Sequence, residues 1–183
     1  GATLPIFLEK EFESIMPIDR TPYNPDVMKE LRKGKKTVAI SGFATTTRDL
    51  MPWDDKSCEV WGLNESYIVD GFWMKDGKWR RKPDRWFQLH CRANFAREDN
   101  VHDPNHFAWL RAQKDFPIMM QKVWPDVPMS TRYPLEKYID VFGRYGTSSM
   151  AWMVGLAVLE GYQRVELYGF EMASDTEYAY QRP

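Results

Sequence analysis

Apolar positions along this chain follow two alternating patterns. Short runs with apolar centres, "TVAIS" (37–41), "CEVWGLN" (58–64) and "DRWFQLH" (84–90), have the length and the β-branched or aromatic content of buried strands. "FPIMMQ" (116–121) and "QRVELYGFEM" (163–172) extend the series. Between them lie segments with helical start and stop signals. "DPNHFAWLRAQKDF" (103–116) has Asp103 as a cap and Pro104 in its first turn, and "YPLEKYIDVFG" (133–143) closes at Gly143. "TSSMAWMVGLAVLEGY" (147–162) is the clearest helix: apolar around most of its circumference, capped by Thr147 or Ser148, ended by Gly161.

Two further segments stand outside this alternation. Asp76-Gly77, between Trp73 and Trp79, predicts a β-hairpin excursion. Residues 1–23 read as an extended arm, followed by a short helix in "NPDVMKELRKG" with Asn24 as cap, Pro25 in the first turn and Gly34 past the end. The predicted division is therefore an N-terminal arm and helix over 1–36 and an α/β domain with a mostly parallel sheet over 37–183.

Composition narrows the function classes. With 183 residues, 25 Lys and Arg against 26 Asp and Glu, and a net charge of −1, no global basic field draws the chain to nucleic acid. Cys58 and Cys91 cannot build a disulfide scaffold and lack metal-ligand spacing. No apolar run spans a bilayer and no signal-peptide pattern opens the chain, so the expectation is a cytoplasmic protein. His102 and His106 are four apart, but Asp103-Pro104 breaks the helix between them, so no metal site is predicted.

In parallel α/β sheets ligands sit beyond the carboxyl ends of the strands, which turns the strand ends into candidate site residues. The first strand leaves through Ser41, Gly42, Phe43, Ala44 and Thr45. There a glycine admits close backbone approach, and hydroxyls with free N–H groups suit phosphate oxygens. A tight turn ending in a threonine cap explains the same residues. The second strand ends at Asn64 and Glu65, where an amide could fix a ribose hydroxyl or base edge. The third ends at His90, a candidate general base, with Arg92 and Asn94 following. Arg144 and Tyr145 precede the hydroxyl-rich helix start Thr147, Ser148 and Ser149, whose amides form an anion site. Glu171, Asp175 and Tyr178 follow the last strand and could serve an acceptor. The hairpin segment from Trp73 to Trp86 interleaves tryptophan with Lys78, Arg80, Arg81, Lys82 and Arg85, the composition of a nucleic-acid contact and equally of a plain exposed hairpin.

Three segments together, the glycine turn after the first strand, "EVWGLNESY" and "GTSSMAWMVGLAVLEGYQRVELYGFEM", resemble the bacterial sialyltransferases that use a CMP-sugar donor and their wider set of related phage and bacterial proteins. The resemblance implies a Rossmann-like three-layer α/β/α sandwich. It also implies that Ser41 to Thr45 meet the donor phosphate or ribose, that Asn64, Thr147, Ser148 and Ser149 meet the nucleotide, that His90 faces the ligand, and that Glu171 ends the last matched strand. The family's two phosphate-binding tyrosines precede this helix start, where the segment here offers Tyr133, Tyr138 and Tyr145, no pair of them assigned. Its usual asparagine-and-proline turn is replaced by "GFATTT", and its catalytic histidine lies farther along than Pro183, so either the chain is cut short, or another residue is the base, or no transfer occurs.

The expected function is a nucleotide-binding transferase, glycosyltransferase-like, moving a sugar from a nucleotide-sugar to an unknown acceptor. No cofactor is bound tightly, the nucleotide or nucleotide-sugar serves as substrate, and a homo-oligomer is open. The alternative is a non-catalytic nucleotide or nucleic-acid binding protein of phage origin, acting in the host cytoplasm.

Overall fold

The computed structural model describes residues 34–100, 102–144, 146 and 148–171. The predicted arm and first helix, together with Tyr145, Thr147, Asp175 and Tyr178, lie outside these residues. The strands among the described residues are β1 (Thr37–Ser41), β2 (Cys58–Leu63), β3 (Met74–Lys75), β4 (Lys78–Trp79), β5 (Arg85–Gln88), β6 (Ile118–Met120), β7 (Ser130–Arg132) and β8 (Arg164–Tyr168). The helices are α1 (Arg92–Phe95), α2 (His106–Ala112), α3 (Leu135–Phe142) and α4 (Ser149–Leu159). Six strands form one all-parallel sheet in the order β7-β6-β5-β2-β1-β8, and β3 and β4 form a separate antiparallel hairpin.

The strand alternation sorts the core into two layers. Val38, Ile40, Trp61, Leu63, Phe87 and Met119 face one side, where α3 and α4 cover them through Tyr138, Trp152, Met153 and Leu156. Ala39, Val60, Trp86, Ile118 and Met120 face the other, covered by the hairpin, α1 and α2 through Trp73, Phe95 and Leu110. This is a Rossmann-like α/β/α arrangement. Its central strands are buried on both faces, which explains why their sequences carry no polar alternation.

Turns and helix ends fall where their local chemistry demands. Asp76 and Gly77 both adopt positive φ, 51° and 71°, as a two-residue hairpin turn requires. Gly143 and Gly161 end α3 and α4 with φ of 67° and 72°. Ser148 caps α4 by accepting from the Ala151 N–H at 3.3 Å. Asp103 accepts from the Asn105 N–H, so it organises the turn before α2, but the helix itself begins three residues later. β7, "STR", was not foreseen: three half-buried polar residues at a sheet edge leave no apolar signal.

From β1 through β2, β5, β6 and β7 the chain steps steadily outward; α4 then returns it to place β8 on the far side of β1. The reversal of strand order therefore lies between β1 and β8.

Candidate functional site

The reversal point is where the strand-end rule places a ligand, and it is closed by the protein's own backbone. The Gly42 N–H donates to Tyr168 O at 2.7 Å and the Ala44 N–H to Gly169 O at 2.8 Å. The Gly169 N–H donates to Thr47 Oγ1 at 2.8 Å. A Cβ on Gly42 would run into the Gly169 carbonyl and lie 2.8 Å from the Phe170 ring. The glycine and one threonine are thus explained by β8 packing over the β1 turn, and two of the amides read as phosphate donors are already spent. Ser41 is wholly buried with no hydrogen-bond partner for its hydroxyl, while Phe43 and Thr45 are exposed.

One step along the sheet the carboxyl edge opens. A cleft of about 270 Å³ lies beyond β2 and β5, lined by Glu65, Gln88, His90, Asn94, Phe95, Arg97, Asp99, Asn100 and His102. Glu65, His90 and Asn94 were singled out by the strand-end argument; Gln88, Arg97, Asp99, Asn100 and His102 were not. Gln88 is a polar residue at the end of a fully buried strand, a position that signals a site-facing side chain. The others come from the loop after α1, whose path only the fold decides.

The cleft is polar and its charges are largely committed. Arg97 and Asp99 pair with each other, Nε to Oδ1 at 2.8 Å and Nη2 to Oδ2 at 2.7 Å, which holds the Asp99 carboxyl below its usual range. Asn100 Nδ2 donates to Glu65 Oε1 at 2.9 Å. Behind the cleft His106 is wholly buried, lying beside the stacked rings of Tyr67 and Trp109, whose centroids are 3.9 Å apart, and nearly parallel to both at interplanar angles of 17° and 16°. Its Nδ1 lies 3.1 Å from the Tyr67 hydroxyl and its Nε2 lies 2.9 Å from Gln88 Oε1 and 3.8 Å from Glu65 Oε1. Tyr67 in turn donates to Asp103. Burial pushes the His106 imidazole down, opposed by the charges of Glu65 and Asp103 and reinforced by His90. Burial also drives the Tyr67 hydroxyl far up, so it remains a donor.

Other expected site residues fall elsewhere. Asn64 is held by its backbone, in a left-handed conformation with φ of 47°, its N–H donating to Phe87 O and its carbonyl accepting from Trp86 Nε1; its side-chain oxygen is buried and unpartnered. Arg92 is turned away from the cleft, forked onto Asp126 and set between the Phe107 and Trp124 rings at 4.9 and 4.8 Å. Ser148 is committed as a helix cap, Ser149 begins the helix, and Arg144 and Glu171 are exposed. Tyr133 and Tyr138 are core residues, packed on Trp152 with ring centroids 5.4 and 5.6 Å away.

The hairpin is corrected more sharply. Trp73 and Trp86 are fully buried and offer no face for a base, and the half-buried Trp79 packs against both. Arg81 is buried and donates to the carbonyls of Pro52, Asp55 and Cys58, while Arg85 is buried on the opposite face. Of these five basic residues Lys78, Arg80 and Lys82 remain exposed, and Lys82 pairs with Asp115. Among the described residues no three His, Cys, Asp or Glu side chains converge as a metal requires, and no helix is long and apolar enough to cross a membrane.

Fold and site define a Rossmann-like α/β protein with a small polar cleft at the carboxyl edge, beside a closed reversal point. Compared with known proteins, the chain matches no family model, no curated protein and no solved structure.

Proposed function

We propose that this chain is a nucleotide-binding transferase, glycosyltransferase-like, whose site is the cleft beyond β2 and β5. The observation that carries the reading is the convergence of His90, Glu65 and the amides of Asn94 and Asn100 in one polar cleft at the strand ends. A transfer from a nucleotide-sugar asks the protein for little covalent chemistry. It needs groups that hold sugar and base hydroxyls, and a base that takes the acceptor's proton. Carboxylate and carboxamide side chains supply the first, and the His90 imidazole supplies the second. The volume suits one sugar or base ring, being near the lower bound of about 300 Å³ for ligand pockets.

Nucleotides and nucleotide-sugars that bind the folded chain raise its melting temperature. A panel of CMP, UMP, GMP, AMP and their sugar conjugates is the test, followed by mass spectrometry of donor consumption. His90→Ala is expected to abolish turnover and retain binding. A panel without any shift defeats the reading, and full turnover in His90→Ala defeats the role given to His90.

A second reading, nucleotide or nucleic-acid binding without chemistry, draws support from one observation. The amides of Gly42 and Ala44 and the Arg97 guanidinium, the groups best suited to a leaving phosphate, are already engaged within the protein. It predicts thermal shifts without donor consumption.

A further inference from the structure

The hydrogen-bond chain behind the cleft constrains what the cleft can recognise. An ionised Asp103 carboxylate only accepts, so Tyr67 spends its single hydroxyl proton there. The Tyr67 oxygen then has only lone pairs to offer His106 Nδ1, 3.1 Å away, and Nδ1 must carry a proton. At the other side of the ring, Nε2 meets the Gln88 side-chain amide at 2.9 Å. Two arrangements satisfy that contact. If Nε2 is also protonated, the ring is cationic and Gln88 accepts with its oxygen. If Nε2 is bare, the ring is neutral and Gln88, turned half a rotation about its last bond, donates with its NH₂. Both have the same shape. They differ in which end of the amide is left to the cleft that Gln88 lines.

The groups facing His106 decide between them. Glu65 and Tyr67 face it from the turn after β2, Gln88 and His90 from β5 and its end, Asp103 from the turn before α2, and Trp109 from its own helix. Glu65 and Asp103 favour the cation; complete burial and His90 favour the neutral ring, and burial is the largest effect. Glu65 meanwhile gives one oxygen to Asn100 and keeps the other for a ligand.

We propose that at neutral pH Gln88 shows its carbonyl oxygen to the cleft beside the Glu65 carboxylate, so that the floor offers two neighbouring acceptors and takes a ligand edge bearing two adjacent O–H or N–H donors. This rests on the cleft being the binding site and names the contact it makes. Two chemistries present such an edge: the vicinal diol of a ribose or other sugar, and the ring N–H with the amino group of guanine. A nucleotide's phosphate ester, ionised at neutral pH and meeting the Glu65 charge, does not bind on this floor.

Methyl β-ribofuranoside and 2′,3′-dideoxyguanosine separate the two sources in a calorimetric or ligand-observed NMR titration. One of them is expected to bind at pH 7.5 and to bind about tenfold more weakly below the pH at which ¹⁵N NMR shows His106 Nε2 taking up a proton, the worth of one hydrogen bond. Gln88→Met and Glu65→Gln should each weaken it about tenfold, and Gln88→Met should remove the pH effect. In the ligand-free protein, ¹⁵N NMR should find His106 Nε2 unprotonated at pH 7.5. The proposal is overturned if Nε2 is protonated there, if neither probe binds, or if binding ignores both pH and Gln88→Met. Equal thermal shifts from ribonucleotides and dideoxynucleotides, unaffected by Gln88→Met, would leave nucleotide binding standing and remove this inference alone.

Discussion

Arg85 and Glu160 form an ion pair inside the protein, with Nη1 and Oε1 2.7 Å apart and side chains 0% and 3% exposed. The same guanidinium lies 3.4 Å from Glu59 Oε2, donates to the Tyr162 hydroxyl at 3.2 Å and sits over the Trp61 ring at 4.8 Å. It ties β5 to β2 and to the end of α4 at the amino edge of the sheet, opposite the cleft. Arg85→Met leaves Glu59 and Glu160 buried without it, and removing one partner of a buried pair costs about 3–5 kcal/mol. Urea unfolding should show that loss. A cost under about 1 kcal/mol, the value of an exposed pair, would mean the cluster is hydrated in solution.

Gly42→Ala puts a Cβ against the Gly169 carbonyl and the Phe170 ring, both anchored by β8. Overpacking of this kind costs about 1–3 kcal/mol, and here the obstacle includes backbone, so the upper half of the range is expected. If Gly42 served a ligand instead, the variant would keep its urea midpoint and lose binding; the structure requires the reverse.

Trp73→Ala tests the role of the hairpin. Trp73 is buried edge-on against Trp53 and Trp86, with centroids 5.1 and 5.4 Å away. Truncating a buried tryptophan costs about 3–5 kcal/mol. The expected outcome is a large drop in stability. Full stability with lost affinity for single-stranded oligonucleotides would restore the hairpin as a nucleic-acid surface.

His106 makes stability depend on pH in a defined window. Its folded form holds less tightly to a proton than the ordinary value of 6.5, because burial outweighs the neighbouring carboxylates. The stabilisation is therefore complete above that value and is lost as pH falls below it, since the unfolded chain takes up the proton first. Asp55, Asp99 and Asp126, all held below 3.8 by their hydrogen-bond partners, act only at lower pH. Melting temperatures should decline between pH 7 and pH 5, and His106→Gln should flatten that decline. An equal decline in the variant would assign it to other groups.

Much of this was legible in the order of residues because it depends on near neighbours. The apolar runs became the central strands, Asp76-Gly77 became the hairpin turn, and Ser148, Gly143 and Gly161 punctuated the helices where their backbone chemistry demands. The mostly parallel sheet expected from alternating strands and helices is all-parallel, although only the β5–β6 and β7–β8 connections carry α-helices. Glu65 and His90 were found by a rule about strand ends, and they do share a cleft.

What the sequence determined by itself was the set of elements and the edge on which polar residues would gather. Which of those residues face one another depended on strand order, and that is a matter of long-range packing. Placing β8 beside β1 closed the glycine turn and moved the open space to β2 and β5. Burying the hairpin's tryptophans turned a contact surface into core, because rings that large stabilise more by leaving water than by waiting for a partner. His106, distant in the chain from Gln88 and Glu65, meets them only after α2 docks on the sheet, and no local pattern encodes such a meeting.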